Sequence, residues 1–325
     1  VSGATSFYAL RFVLGAAEAG FFPGIIYYLT RWVPAQERAR TVASFMTAVV
    51  TAGIVGGPLS GALLSMHGLA GLAGWQWMFL LEGVPAALLG LVALRVLDDS
   101  PAEASWLTRD ERHALLSRLA DEDDAGRHRA HGIGAALRHP WVWVLSAVYF
   151  VVPVALYAFG FFLPQILRGT FAGTSFEIGL LSAVPYLAGA AAMVVAARYS
   201  DATGERRRVI AAGAAVSGAG FIGTALVQGL APSLVLLSVA MLGLASMFGP
   251  FWTLATSFLG GRGAAAGIAL INSVGNVGGF VGPYGVGYLR DATRGFSAGL
   301  IAIGVTMLAG GLVVLFVPDR GSGQA

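Results

Sequence analysis

Apolar runs long enough to cross a lipid bilayer recur along the whole sequence, at 6–30, 41–66, 75–97, 141–167, 176–197, 209–230, 233–258, 265–289 and 296–317. A helix needs about 20 residues to span the hydrocarbon layer. Inside that layer every backbone N–H and C=O must be satisfied within the chain, which leaves helices or a closed barrel. The runs are continuous rather than alternating, so helices are expected. Composition agrees, with 56% hydrophobic and 11% charged residues, against about a quarter charged in soluble domains. The expected fold class is an all-α membrane protein.

Nine spans put the two ends of the chain on opposite sides, and arginine sets which is which, because the sequence has no lysine. Cytoplasmic loops of membrane proteins carry the excess of positive residues. Sixteen arginines, among them Arg31, Arg38, Arg40, Arg95, Arg206, Arg207, Arg208 and Arg320, fall on one side, and only Arg168, Arg290 and Arg294 on the other. The C-terminus is therefore expected in the cytoplasm. The net charge of +3 is a topology signal, and no nucleic-acid partner is implied. The absence of cysteine excludes disulfides, thiol catalysis and cysteine metal sites. The opening VSGATSFYALRF lacks an initiator Met, a basic n-region and a cleavage site, which reads as an internal start.

A polar interruption at 98–140 separates three spans from six. Within it Thr108 and Glu111 have capping-box spacing ahead of an amphipathic helix bearing Leu115, Leu116 and Leu119. A cytoplasmic linker helix is expected. His128 and His131 near Asp121, Glu122, Asp123 and Asp124 raise a metal site, but a solvated charged face fits that composition better, and no metal or other cofactor is expected.

The second span contains GIVGGPLSG around Pro58 and the eighth GNVGGFVGPYGVG around Pro283. Transporters are often built from repeated three-helix units, and this repeat makes each of those helices the middle one of such a unit. The register leaves the first three helices of a twelve-helix design absent. Residues 1–97 then form the second unit of an N-terminal half, 98–140 the linker, 141–318 a six-helix half and 319–325 a cytoplasmic tail. The four-residue spacing of Gly53, Gly57 and Gly61, and of Gly275 and Gly279, suits close helix crossings; packing alone and a hinge both fit.

Ionisable side chains are costly in a span, about 2.5 to 3.5 kcal/mol on translocon scales, and so mark function. Arg11 and Glu18 stand seven residues apart in the first span, two turns along nearly one face. A carboxylate in low dielectric has a raised pKa and exchanges protons near neutrality, while guanidinium stays charged and grips carboxylates. Proton coupling at Glu18 and substrate binding at Arg11 fit; so does a structural pair facing other helices. Glu82 lies nearer a helix end, where packing is the better reading. Asn272 and Asn276, one turn apart on the glycine-rich helix, present amides suited to substrate hydroxyls or carboxylates.

RFVLGAAEAGFFPGIIYYLTRWVPAQERART at the start, GWQWMFLLEGVPA, YAFGFFLPQIL, LLSAVPYLAGA and FWTLATSFLGGRGAAAGIALINSVGNVGGFVGP further on resemble the anion:cation symporter family of the major facilitator superfamily. The resemblance implies the major facilitator fold with about nine of its twelve transmembrane helices. It also implies proton-coupled uptake of a small organic anion, such as tartrate or a related hydroxy or aromatic acid, by a monomer in the bacterial inner membrane. By the same resemblance Trp252 and Asn272 fall at substrate-contacting positions, with Tyr157 and Gln165 lining the cavity; aromatic packing suits Tyr157 equally. Val49 replaces a glutamine and Ala255 a proline at related positions, which favours a less polar acid than a sugar acid. ARYSDATGERRR resembles the superfamily's loop motif through Asp201, Gly204, Arg206 and Arg207, with Ala197 where its first glycine is usual. It implies a conformational latch.

A drug or metabolite antiporter on the same fold is the alternative. A membrane sensor or channel comes third, since no continuous polar stripe or charged ring is visible. One Glu and one Arg are too few for an intramembrane enzyme.

Overall fold

The computed structural model describes residues 2–18, 21–127, 137–258 and 262–318. They form helices α1 (Ala4–Glu18), α2 (Phe21–Trp32), α3 (Ala35–Leu64), α4 (Gly74–Val96), α5 (Arg109–Arg127), α6 (Pro140–Thr170), α7 (Ser175–Thr203), α8 (Arg206–Leu226), α9 (Leu230–Ser246), α10 (Phe248–Phe258), α11 (Arg262–Thr293) and α12 (Ser297–Leu315). The described residues contain no strand, so the chain is all-helical. Each of the nine apolar runs overlaps one or more helices among the described residues. Six helical segments are long and apolar enough to cross a membrane by length and composition: α4, α6, α7, α8, Leu230–Phe258 and α12. The chain divides into two compact units, Val1–Ala48 with Val84–His128, and Val49–Gly83 with Arg129–Ala325.

In the first unit α5 begins as its sequence requires. Thr108 Oγ1 accepts from the Glu111 amide at 3.3 Å, and Glu111 Oε2 accepts from the Thr108 amide at 3.0 Å and its hydroxyl at 2.7 Å. These bonds hold the Glu111 carboxyl below the usual glutamate range. The cap is thus complete above that range and is lost as pH falls through the lowered value. Trp106 donates to Asp98 at 3.1 Å and stacks on Trp32 with ring centres 5.6 Å apart, which ties the linker to the end of α2. His128 and His131 lie outside the described residues.

The second unit is organised on α6. Leu145, Val148, Val152, Ala155, Phe159, Leu163 and Leu167 are all buried and recur every three or four residues, one continuous face of a helix. Lipid gives no hydrophobic drive between helices, so close packing through small residues must hold them together. Glycines supply it. α11 sets Gly275 against the ring of Tyr149, Gly279 against the ring of Tyr157, and Gly282 against the Val154 carbonyl of α6. On α3, Gly53 faces the Tyr186 ring, while Gly57 and Gly61 meet the Gly179 and Ser175 carbonyls of α7. A Cβ built at Gly57 would lie 2.8 Å from that carbonyl oxygen. The four-residue glycine spacing is therefore a helix-crossing device. Ser60 donates to Glu82 Oε1 at 2.8 Å, so Glu82 joins α4 to α3.

Several boundaries differ from the sequence reading: the run 6–30 is carried by two helices, α1 and α2, and α3 begins at Ala35 rather than 41. The turn placed at Ala231 and Pro232 lies earlier, at Val227–Gly229, where Gly229 takes φ +95°. Pro232 sits in the first turn of α9, where a missing N–H costs nothing. The run 233–258 is also divided, at Met247, into α9 and α10.

Topology is testable without background, because the sequence lacks cysteine. Ala114→Cys and Ala172→Cys are both at exposed positions. Impermeant maleimide applied to right-side-out vesicles is expected to label Ala172→Cys and to spare Ala114→Cys; the reverse pattern contradicts the arginine-based orientation.

Candidate transport site

Three aromatic rings gather in the second unit. Tyr149 of α6 stacks on Phe251 with centres 5.0 Å apart, and Trp252 lies 4.9 Å from Tyr149 and 5.4 Å from Phe251. Tyr149 and Phe251 are buried and Trp252 half-buried. Gly275, the residue before Asn276 on α11, packs against the Tyr149 ring. Tyr149 thus connects Trp252 with the helical turn that carries both amides. Asn272 is half-buried, Asn276 is exposed, and neither amide has a hydrogen-bond partner among the described residues. Tyr157, two turns after Tyr149, is 45% exposed above Gly279. The assembly offers stacking surfaces and unspent amides, and no charge.

Gln165 stands elsewhere. Its Oε1 accepts from Arg290 Nη1 at 3.1 Å, and that guanidinium lies 4.8 Å over the Phe296 ring. The amide is engaged in a tie between the ends of α6 and α11.

In the first unit Arg11 and Glu18 share α1, and both side chains are exposed. Seven residues of helix separate them by about 10 Å along the axis, and no ion pair joins them. Arg11 lies 5.5 Å over the Phe7 ring, a contact of about 0.5 to 1 kcal/mol at an exposed site. A charge-assisted bond to a carboxylate is worth about 1.5 to 3 kcal/mol, enough to draw the guanidinium away.

In the loop motif Gly204 takes φ +71° and its amide closes α7 on the Ser200 carbonyl at 2.9 Å. A left-handed cap of this kind favours glycine. Arg207 Nη1 donates to the Val317 carbonyl at 3.0 Å, and Arg208 pairs with Glu205 at 2.7 Å. Asp201 is exposed and Arg206 half-buried. Ala197 lies against Gly249, where a Cβ would stand 3.4 Å from the alanine methyl.

Sequence reasoning passed over Tyr149 and Phe251, since aromatic residues are common in apolar runs. What marks Tyr149, its contact with Gly275, is visible only in the structure. Among the described residues no group of three or more His, Asp or Glu is placed to hold a metal ion.

Helices long and apolar enough to span a bilayer, crossing through glycine and presenting amides and aromatic rings, define a multi-pass helical membrane protein. The chain belongs to the Major Facilitator Superfamily, whose sequence profile matches residues 1–283 and, in an overlapping second match, 145–324. It is 44% identical to a protein of Agrobacterium vitis provisionally named a tartrate transporter, over 99% of this chain and 75% of that one. It is 38% identical to a quinolone resistance transporter of Acinetobacter baumannii, over 98% of this chain and 73% of that one. Its fold is similar to the partially occluded, inward-open xylose transporter XylE of E. coli, with a TM-score of 0.69 at 17% identity, over 92% of this chain and 68% of that one.

Proposed function

We propose that the protein carries a small organic carboxylate inward together with protons, by alternating access across the bacterial inner membrane, with its C-terminus in the cytoplasm. The observation that carries this reading is the separation of chemistry between two elements. α1 holds one cation and one carboxylate, too far apart to neutralise each other, while the Tyr149–Trp252–Asn272 assembly is uncharged. In this scheme Arg11 holds the substrate carboxylate and Glu18 carries the proton. Asn272 and Asn276 bind hydroxyl or carboxylate oxygens, and Trp252 and Tyr157 contact the apolar part. Gln165 reaches substrate only by exchanging its bond to Arg290, and Asp201, Gly204, Arg206 and Arg207 form the conformational latch. The provisional name of the Agrobacterium vitis relative supports a dicarboxylate or hydroxy acid. The protein acts as a monomer without a cofactor.

A thermal-shift screen of the purified protein against carboxylic acids tests the reading. A ligand at a hundredfold its Kd stabilises by about 2.7 kcal/mol, so a hydroxy or aromatic acid is expected to raise the midpoint by several degrees. Asn272→Ala is expected to remove most of that shift while leaving the unliganded midpoint in place. A panel of carboxylates without any shift contradicts the proposal. The name of the Acinetobacter baumannii relative favours a second reading, proton-driven drug export, under which a quinolone and not a carboxylate gives the shift.

A further inference from the structure

An apolar groove of about 300 Å³ runs between α8 and α12, lined by Ala211, Ala215, Leu308, Gly311, Leu312 and Leu315. Small residues create it. Gly311 backs onto Ala214, and Gly218 onto the Gly304 carbonyl, so the helices approach closely beneath while the two alanines leave the space between the leucines unfilled.

The groove has one charged end. Arg207 lies one turn before Ala211 and bonds the Val317 carbonyl, two residues past the lining Leu315. Arg208, Ala211 and Ala215 follow the i, i+3, i+7 pattern of a single helix face. The Arg208 side chain is 71% exposed even though its Nη1 is on Glu205. A guanidinium has five donors, so the bond to Glu205 leaves others on this exposed side chain for a ligand. Among the described residues, three guanidiniums, Arg206, Arg207 and Arg208, stand near two carboxylates, Asp201 and Glu205.

We propose that this is a binding site for a phospholipid with an anionic headgroup. One acyl chain lies in the groove along Ala211, Ala215 and Leu312, and the phosphodiester accepts from Arg208 with Arg207 at its flank. Arginine suits phosphate through its planar fork of donors. A choline headgroup would bring a second cation against three guanidiniums and is disfavoured. The site is separate from the aromatic and amide assembly around Tyr149, so it stands or falls independently of the substrate proposal.

Native mass spectrometry of the detergent-purified protein with equimolar phosphatidylglycerol and phosphatidylcholine of the same acyl chains tests the proposal. The wild type is expected to retain phosphatidylglycerol in preference by roughly tenfold. Arg208→Gln should abolish that preference, and Ala215→Phe, which fills the groove from an exposed position, should reduce retention of the lipid itself. Neither position is in the core, and an unchanged thermal midpoint verifies the fold of both variants. Equal retention of the two lipids by the wild type overturns the proposal, as does unchanged preference in Arg208→Gln or unchanged retention in Ala215→Phe. Displacement of the lipid by millimolar inorganic phosphate would reveal a site for the ion alone and overturns it too.

Discussion

Glu18→Gln is expected to abolish substrate accumulation driven by a pH gradient while leaving substrate counterflow close to wild type. Each pH unit across the membrane is worth about 1.4 kcal/mol per proton, which a coupled carrier converts into a tenfold substrate gradient. A glutamine has the shape of the protonated acid but cannot release a proton, so the carrier cycles with the substrate alone and the accumulation ratio falls to one. Glu18 is suited to the task by its place at the end of α1, within an apolar run and with no ion pair to Arg11. Uptake of labelled substrate into proteoliposomes with and without a pH gradient makes the measurement. Wild-type accumulation by the variant would move proton coupling to another residue.

Arg11→Ala is expected to damage both assays. The variant loses the cation proposed to hold the substrate carboxylate, about 1.5 to 3 kcal/mol, hence roughly ten- to a hundredfold weaker binding. Counterflow and driven uptake fall together, because both begin with substrate binding. Arg11→Lys keeps the charge but not the two-pronged geometry and should recover only part of the affinity. This contrast separates a substrate contact from packing, since the contact Arg11 makes in the structure is with the Phe7 ring, which lysine satisfies comparably.

The fold was legible in the sequence to the extent that lipid dictates it. Each apolar run long enough to cross a membrane is helical, because a spanning segment has almost no other way to satisfy its backbone. Hydropathy marks the apolar stretch rather than the helix, however, and α3 begins at Ala35, ahead of the run starting at 41, because the charged segment between them is helical as well. The break between the runs ending at 230 and starting at 233 falls earlier, at Gly229, and Pro232 lies in the first turn of the next helix. The glycine repeats predicted close crossings, but the partners were beyond reach. Nothing in the sequence announces that Gly57 meets Gly179, or that Gly275 meets Tyr149.

The candidate site divides in the same way. Arg11 and Glu18 stand out because a charge inside an apolar run is rare. Tyr149 and Phe251 do not, because their significance lies in ring contacts between helices more than a hundred residues apart. Gln165 shows the limit most clearly. Its amide bonds Arg290, 125 residues away, and only the packing of α6 against α11 reveals that tie.

The most direct test of the transport mechanism is the direction of proton movement when substrate is supplied. Proteoliposomes containing the purified protein and an internal pH-sensitive dye are given an organic carboxylate identified by the thermal-shift screen, with no imposed pH gradient. Coupled inward transport predicts that the interior acidifies on addition of the carboxylate, with an initial rate that depends on its concentration and is absent in Glu18→Gln. Alkalinisation of the interior, or a dye signal that responds to a quinolone and not to any carboxylate, would contradict the account and establish an antiporter.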